Sequence, residues 1–196
     1  MTSNVLNARH LNIKKSVISF VFSPLTVEMM DFESQQLKFL GNMKLSGRTF
    51  VYKDKQKQDI LLEIIPVRKF GRNTFEVIDY ELNKKKIGTI SSSVTTALGF
   101  IKTNWQILDE NDVEIMTFNA NKSENFMKRV VDNATAFYNP SYTYEFLNKN
   151  GTIGAVLTNK SALFFRKYDL FFQDIADREA KLTLAIFSIM SILGRR

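Results

Sequence analysis

Short runs of strand-forming residues alternate with polar turns along most of this chain, and four of the runs share one pattern. FVYKD (Phe50–Asp54), FEVID (Phe75–Asp79), WQILD (Trp105–Asp109) and YEFLN (Tyr144–Asn148) each open on an aromatic residue and end on an Asp or Asn. After each turn an apolar run resumes: ILLEII from Ile60, IGTI from Ile87, VEIMTF from Val113 and IGAVL from Ile153. Aromatic and β-branched residues in short runs between polar turns predict hairpins. Asp and Asn suit the turns because their side chains bond the local backbone and tolerate left-handed geometry. The four aromatics lie 25, 30 and 39 residues apart, an irregular spacing that fits concatenated hairpins and not a solenoid. SVISFVF (Ser16–Phe22), Val27–Asp31 and LKFLGNM (Leu37–Met43) add strands upstream, and ALFFRK and YDLFF supply the closing strands. Two connectors read as helical. Ser123–Phe137 places Phe126, Val130, Ala134 and Phe137 on one face behind Ser123 as N-cap, and Val94–Ile101 forms a shorter turn.

The run Leu182–Leu193, LTLAIFSIMSIL, breaks this pattern because none of its residues is charged. A bilayer crossing needs about 20 apolar residues, and a helix that is apolar on every face must be buried all round. The run therefore predicts a helix enclosed by the rest of the protein. It is expected to start near Ala176 or Asp177, with Asp174 or Asp177 as cap, Glu179 in its first turn, and Gly194 as its stop. Counted together, the strands number about a dozen, enough to curl and close. A barrel of that size leaves a lumen that its own side chains do not fill. The expected fold is mainly β: a closed, roughly twelve-stranded antiparallel barrel around the C-terminal helix, with Phe171, Phe172 and Phe187 packing that helix.

At 196 residues the chain suits a single domain spanning 1–196, with 1–15 read as a mobile N-terminal extension. Hydrophobic residues make up 44%, including 17 Phe, against only three Pro and eight Gly, which argues against disorder. The absence of Cys excludes disulfides, thiolate nucleophiles and Cys-ligated metal, and fits a reducing, cytoplasmic setting. MTSNVLNARH has no apolar core of the kind a secretory signal needs. The formal charge of +7 favours anionic partners, lipid or nucleic acid, although it also serves to keep a Phe-rich barrel in solution.

The run FEVIDYELNKKKIGTI, followed by ALGFIKTNWQILDENDVEI, resembles the paired hairpins of bacterial scramblase-related proteins. The ending YDLFFQDIADREAKLTLAIFSIMSILGRR is similar in layout: a Phe-containing strand, an acidic linker, a hydrophobic helix and a Gly-Arg tail. On these residues, across most of 45–196, the chain resembles the tubby C-terminal-like superfamily, and within it the phospholipid scramblase and LURP-one-related families. The resemblance implies a twelve-stranded barrel around a central helix. For function it implies phosphoinositide binding, lipid movement or transcription, since members are linked to each. No motif in this chain matches the tubby phosphoinositide residues.

Candidate chemistry is sparse. If the hairpins are equivalent, Lys53, Lys55 and Lys57 occupy a turn corresponding to that of Lys84, Lys85 and Lys86, near one rim, where they would hold anionic headgroups. Solvated turns are the alternative reading of the same lysines. The scramblase resemblance implies a calcium loop before the final helix, for which Asp169, Asp174 and Asp177 are the candidates. Three carboxylates are thin for an ion wanting six to eight oxygens, and capping of the helix explains them as well. DENDVE (Asp109–Glu114) lacks the Gly and closing Glu of an EF-hand and reads as a hairpin turn. Phe50, Tyr52 and Trp105 beside lysines suggest base stacking, but strand aromatics belong to cores and no nucleic-acid-binding motif is present. His10 stands as the single histidine, and no Walker or GxGxxG loop occurs, so catalysis and a cofactor are not expected. The expected function is a non-enzymatic module for anionic phospholipid or phosphoinositide, peripheral at the cytoplasmic membrane face. A protein-interaction scaffold is the alternative, with nucleic-acid binding behind it and membrane insertion through the last helix a further option.

Overall fold

In the computed structural model, residues 4–14, 26–69, 72–97, 100–120, 142–162 and 165–193 are described. A short helix α1 (Asn4–Asn7) precedes β1 (His10–Lys14), β2 (Thr26–Asp31), β3 (Leu37–Met43), β4 (Thr49–Tyr52), β5 (Ile60–Lys69) and β6 (Arg72–Asp79). Then come β7 (Lys85–Ala97), β8 (Phe100–Leu108), β9 (Glu114–Ala120), β10 (Tyr142–Asn148), β11 (Ile153–Ala162), β12 (Phe165–Phe172) and the helix α2 (Asp177–Leu193). Each strand pairs antiparallel with its neighbours in sequence. The twelve-stranded sheet closes where His10, Leu11 and Asn12 meet Phe171, Leu170 and Asp169.

The repeated motif has a structural counterpart. In five hairpins the register shifts by one residue next to the turn, leaving one extra residue on the second strand. Those residues are Lys38, Leu61, Ile87, Ile115 and Gly154. Such a bulge bends and twists the strand and re-aims its side chains. Leu61 beside Leu62, and Ile87 beside Gly88, are thereby buried next to each other, a departure from strict alternation that curves the wall around the core.

The lumen is filled by α2, whose 17 residues span about 25 Å at 1.5 Å per residue. Leu182, Leu184, Ala185, Ile186, Phe187, Ile189 and Ile192 are buried, and the helix touches β2, β3, β4, β5, β7, β11 and β12. Two glycines let it approach the wall. A Cβ on Gly88 would strike the Leu108 carbonyl and lie 3.1 Å from both Leu182 methyls, and one on Gly41 would lie 3.2 Å from Met29 Cε and 3.7 Å from Ser188. Of the buried hydroxyls of α2, Ser188 donates to the Leu184 carbonyl at 2.8 Å, while Thr183 Oγ1 and Ser191 Oγ have no hydrogen-bond partner.

Several expectations need correction. Segment 1–15, read as a mobile extension, carries α1 and β1. Val5, Ala8 and Leu11 are fully buried there, and β1 closes the barrel. Val94–Ile101 is no helix, since Val94–Ala97 ends β7 and Phe100–Ile101 begins β8. ALFFRK is not one strand: Ala162 ends β11, and Phe165 begins a β12 that continues through Phe172. Phe172 and Phe187 are buried as expected, but Phe171 is 40% exposed on the outer wall. Asp177 does not cap α2. Its Oδ2 reaches Lys181, and its Oδ1 has no partner. Ser16–Phe22, Ser123–Phe137 and Gly194 lie outside the described residues.

Candidate functional site

An up-and-down meander sends alternate turns to opposite ends. The β2–β3, β4–β5, β6–β7, β8–β9 and β10–β11 turns share one end, where β12 also hands over to α2. Lys53, Lys55 and Lys57 and Lys84, Lys85 and Lys86 are thus brought to a common rim. Their turns are built by carboxylates that accept backbone amides. Asp54 takes those of Gln58 (3.1 Å) and Asp59 (2.6 Å), and in the next hairpin but one Asp109 takes those of Asn111 (2.8 Å) and Val113 (2.9 Å). These bonds hold both carboxyls below their ordinary pKa. Lys57, Asn83, Lys84 and Asp112 sit at φ of 62°, 55°, 61° and 61° to close the turns.

Most of the six lysines already face acids. Lys53 Nζ lies 2.8 Å from Glu81 and 3.5 Å from Asp59, Lys55 lies 3.7 Å from Glu28, Lys85 3.7 Å from Glu110, and Lys86 3.2 Å from Glu76. Lys84 Nζ stands 5.2 Å from the centre of the Tyr80 ring, and Lys57 is exposed. Exposed pairs of this kind stabilise little, yet they offset the positive potential that a headgroup would meet.

Beneath this rim lies a buried charge cluster. Lys181, in the first turns of α2, places its Nζ 2.7 Å from Asp79 Oδ2, 2.7 Å from Glu81 Oε2 and 3.2 Å from Asp177 Oδ2. The Lys181 side chain is 3% exposed and that of Asp79 is fully buried. Burial alone would pull the Lys181 pKa down, but the hydrogen bonds to Asp79 and Glu81 and the charges of Asp79 and Asp177 outweigh it, so its pKa stands above the ordinary lysine value. Arg178 ties the same turn outward, to Glu110 at 3.3 Å and Glu179 at 2.8 Å. The cluster fixes the depth of α2 in the barrel.

The calcium candidates are not brought together. Asp169 sits within β12 opposite Asn12 and Thr158, Asp174 is exposed in the linker, and Asp177 faces Lys181. Among the described residues there is no group of three or more His, Asp or Glu that could hold a metal ion. No described helix is long and apolar enough to cross a membrane. Trp105 and Tyr144 pack half-buried against the core, and Tyr52 is buried, so these rings belong to the wall.

One cluster was missed from sequence. His10 stacks on Phe32 with centroids 3.9 Å apart and meets Phe171 edge-on at 5.6 Å. Phe32 and Phe171 are exposed, and a cavity of about 400 Å³ opens beside them, lined by Arg9, Phe171, Phe172 and Gln173. The signal was available: Phe171 and Phe172 are consecutive in a strand, so only one of them can point inward.

The opposite end has different chemistry. It carries Lys44 and Arg48 in the β3–β4 turn, Arg68, Lys69 and Arg72 at the ends of β5 and β6, and Lys102 early in β8. Lys160, Arg166 and Lys167 stand near the β11–β12 turn, and the β9–β10 connector 121–141, which contains Glu124 and Asp132, lies outside the described residues. Arg48 reaches back along the wall to Glu63 at 3.1 Å. No protein-family model and no curated protein matches the chain.

Proposed function

We propose that this protein is a non-enzymatic module that binds anionic phospholipid or phosphoinositide at the cytoplasmic face of a membrane. The observation that carries this reading is the gathering of the six hairpin lysines on one rim by the up-and-down order of the strands. At that rim acids and bases interleave. Basic residues near an anionic leaflet contribute about 1 kcal/mol each. Acid partners diminish what Lys53, Lys55, Lys85 and Lys86 can offer to a headgroup, which leaves Lys57 and Lys84 as the hairpin lysines with most to give. The resemblance to tubby-like and scramblase-related chains supports the same class of ligand.

Vesicle sedimentation tests the reading. The full chain should pellet at low salt with phosphatidylcholine vesicles containing phosphatidylserine or a phosphoinositide, and not with phosphatidylcholine alone. Equal and negligible pelleting with all of them would refute it. A protein-interaction scaffold is the second reading, favoured by the exposed Phe32 and Phe171 rings that pack on the half-buried His10 beside the cavity. It predicts a partner whose capture is lost on Phe32→Ala, with no lipid preference.

A further inference from the structure

We propose that the cavity at the seam where β1 meets β12, lined by Arg9, Phe171, Phe172 and Gln173, is a binding site for a small monocarboxylic acid with an apolar body, of the aryl-alkanoate kind. This goes beyond the headgroup reading above and uses none of the hairpin lysines. The walls follow from strand pairing. His10 lies opposite Phe171 in the register that closes the sheet. One step further, the Phe172 amide donates to the Arg9 carbonyl at 2.8 Å, so Arg9 stands across from Phe172, just ahead of β1. Successive strand residues point to opposite faces, and accordingly Phe172 is buried while Phe171 is exposed. Phe172 thus forms the base of the cavity, and the exposed Arg9, Phe171 and Gln173 form its mouth.

Volume, charge and rigidity name the ligand. At about 400 Å³ the cavity has the size of a small-molecule site, in which apolar walls surround a few polar groups. Two phenyl rings supply the apolar wall. Arg9 supplies a cation, and no carboxylate among the described residues forms an ion pair with it. The acid that closes the neighbouring β2–β3 turn, Asp31, is occupied by Ser34, whose amide and hydroxyl donate to it at 2.8 and 2.9 Å. A planar guanidinium matches a carboxylate through two parallel hydrogen bonds, and Gln173, exposed at the same mouth, carries a further donor in its side-chain amide. One guanidinium balances one negative charge. A phosphate carries more charge and hydration than that, and the rings offer it no donor. The lining is also held in place before a ligand arrives. The Gln173 amide donates to the Gly154 carbonyl at 2.9 Å, and Asn148 Nδ2 donates to the Asp174 carbonyl at 2.7 Å. The Phe171 ring meets His10 edge-on, and His10 is itself stacked on Phe32. Walls fixed in this way avoid the ordering cost that binding otherwise incurs.

A heteronuclear NMR titration of the isotope-labelled full chain tests this, with 4-phenylbutyrate as probe and 4-phenylbutyramide as its uncharged counterpart. The acid should shift the amides of Arg9, Phe171, Phe172 and Gln173 with a dissociation constant on the order of 1 mM or tighter, and the amide should bind at least about tenfold more weakly. R9Q should weaken binding of the acid about tenfold, and F171A by about threefold or more. K44Q removes one positive charge from the β3–β4 turn at the opposite end and should leave the affinity within about twofold, which controls for net charge. Arg9 and Phe171 are exposed, and circular dichroism melts check that both variants fold. No shift at about 10 mM acid, shifts confined to other parts of the barrel, an amide that binds as well as the acid, or an R9Q protein that binds like wild type would each overturn the proposal. So would displacement of the acid by inorganic phosphate at equal concentration. This site and the headgroup reading fail separately. A wild type that binds the acid and pellets with no vesicle keeps the site and loses the headgroup reading, and one that pellets with anionic vesicles and ignores the acid does the reverse.

Discussion

Replacing Lys181 by Met leaves the Asp79 carboxylate buried with its principal cation gone. Lys181 Nζ lies 2.7 Å from Asp79 Oδ2, and neither side chain is more than 3% exposed. Removing one partner of a buried ion pair costs about 3–5 kcal/mol, because the remaining charge loses its counterion without regaining water. Glu81 and Asp177 soften the loss little, since both are partly exposed and Glu81 keeps Lys53 at 2.8 Å. The cost should therefore come mostly from Asp79, at about 3–4 kcal/mol. For a chain of this size that corresponds to a melting temperature lower by roughly 6–16 °C. The assay is thermal and urea unfolding followed by circular dichroism, run on Lys181→Met, Asp79→Asn and the double variant. Asn retains an acceptor for the Glu81 amide, which Asp79 Oδ1 receives at 2.8 Å, so the double variant should recover about 2 kcal/mol or more relative to the sum of the singles. A Lys181→Met protein within about 1 kcal/mol of wild type, or a double variant showing no coupling, would refute the view that this pair sets the position of α2.

The same cluster gives a pH signature. Burial raises the Glu81 pKa, but the hydrogen bonds and charges of Lys181 and Lys53 lower it more, leaving it below the ordinary carboxylate value. Its contribution to stability is therefore full above a pKa of about 4.3 and lost as pH falls through the lower folded value; urea midpoints between pH 7 and 3 should show Glu81→Gln with a shallower acid decline. Lys181, raised in the folded state, adds stability that begins to fade only above about pH 10.4, and Lys181→Met should flatten that alkaline limb. Gly88→Ala should cost about 2 kcal/mol or more in urea unfolding, because the new methyl meets the Leu108 carbonyl, which cannot swing aside. Thr183→Val should raise stability by about 1 kcal/mol, since it removes a buried hydroxyl without a partner and keeps the shape.

The hairpins were legible because aromatic and β-branched runs ending in Asp or Asn carry their own turn chemistry, and α2 because an uncharged run has only one place to go. β1 was not, as HLNIK is five residues in a polar stretch, and its pairing with β12 lies more than 150 residues away in sequence. Val94–Ile101 was misread because its only turn signal is a single glycine between two long strands. The Lys181–Asp79 pair joins residues 102 positions apart, and no local pattern announces such a partner. The hairpin lysines were correctly gathered on one rim, but their acid neighbours come from other turns, whose proximity only the closed sheet reveals.

The seam between β1 and β12 also constrains how the chain can acquire its structure. The two strands that complete the wall emerge from the ribosome far apart in time, and the segment that fills the interior follows the later one. Closure with an empty interior would shut the plug out, so plug insertion and seam formation must occur as one late, cooperative event. Pairing across so long a sequence separation is intrinsically slow, and until it happens β1 and β12 remain open edges and α2 stays wet. The nascent protein thus passes through an interval of sticky edges, in which chaperone protection matters more than it will for the finished fold.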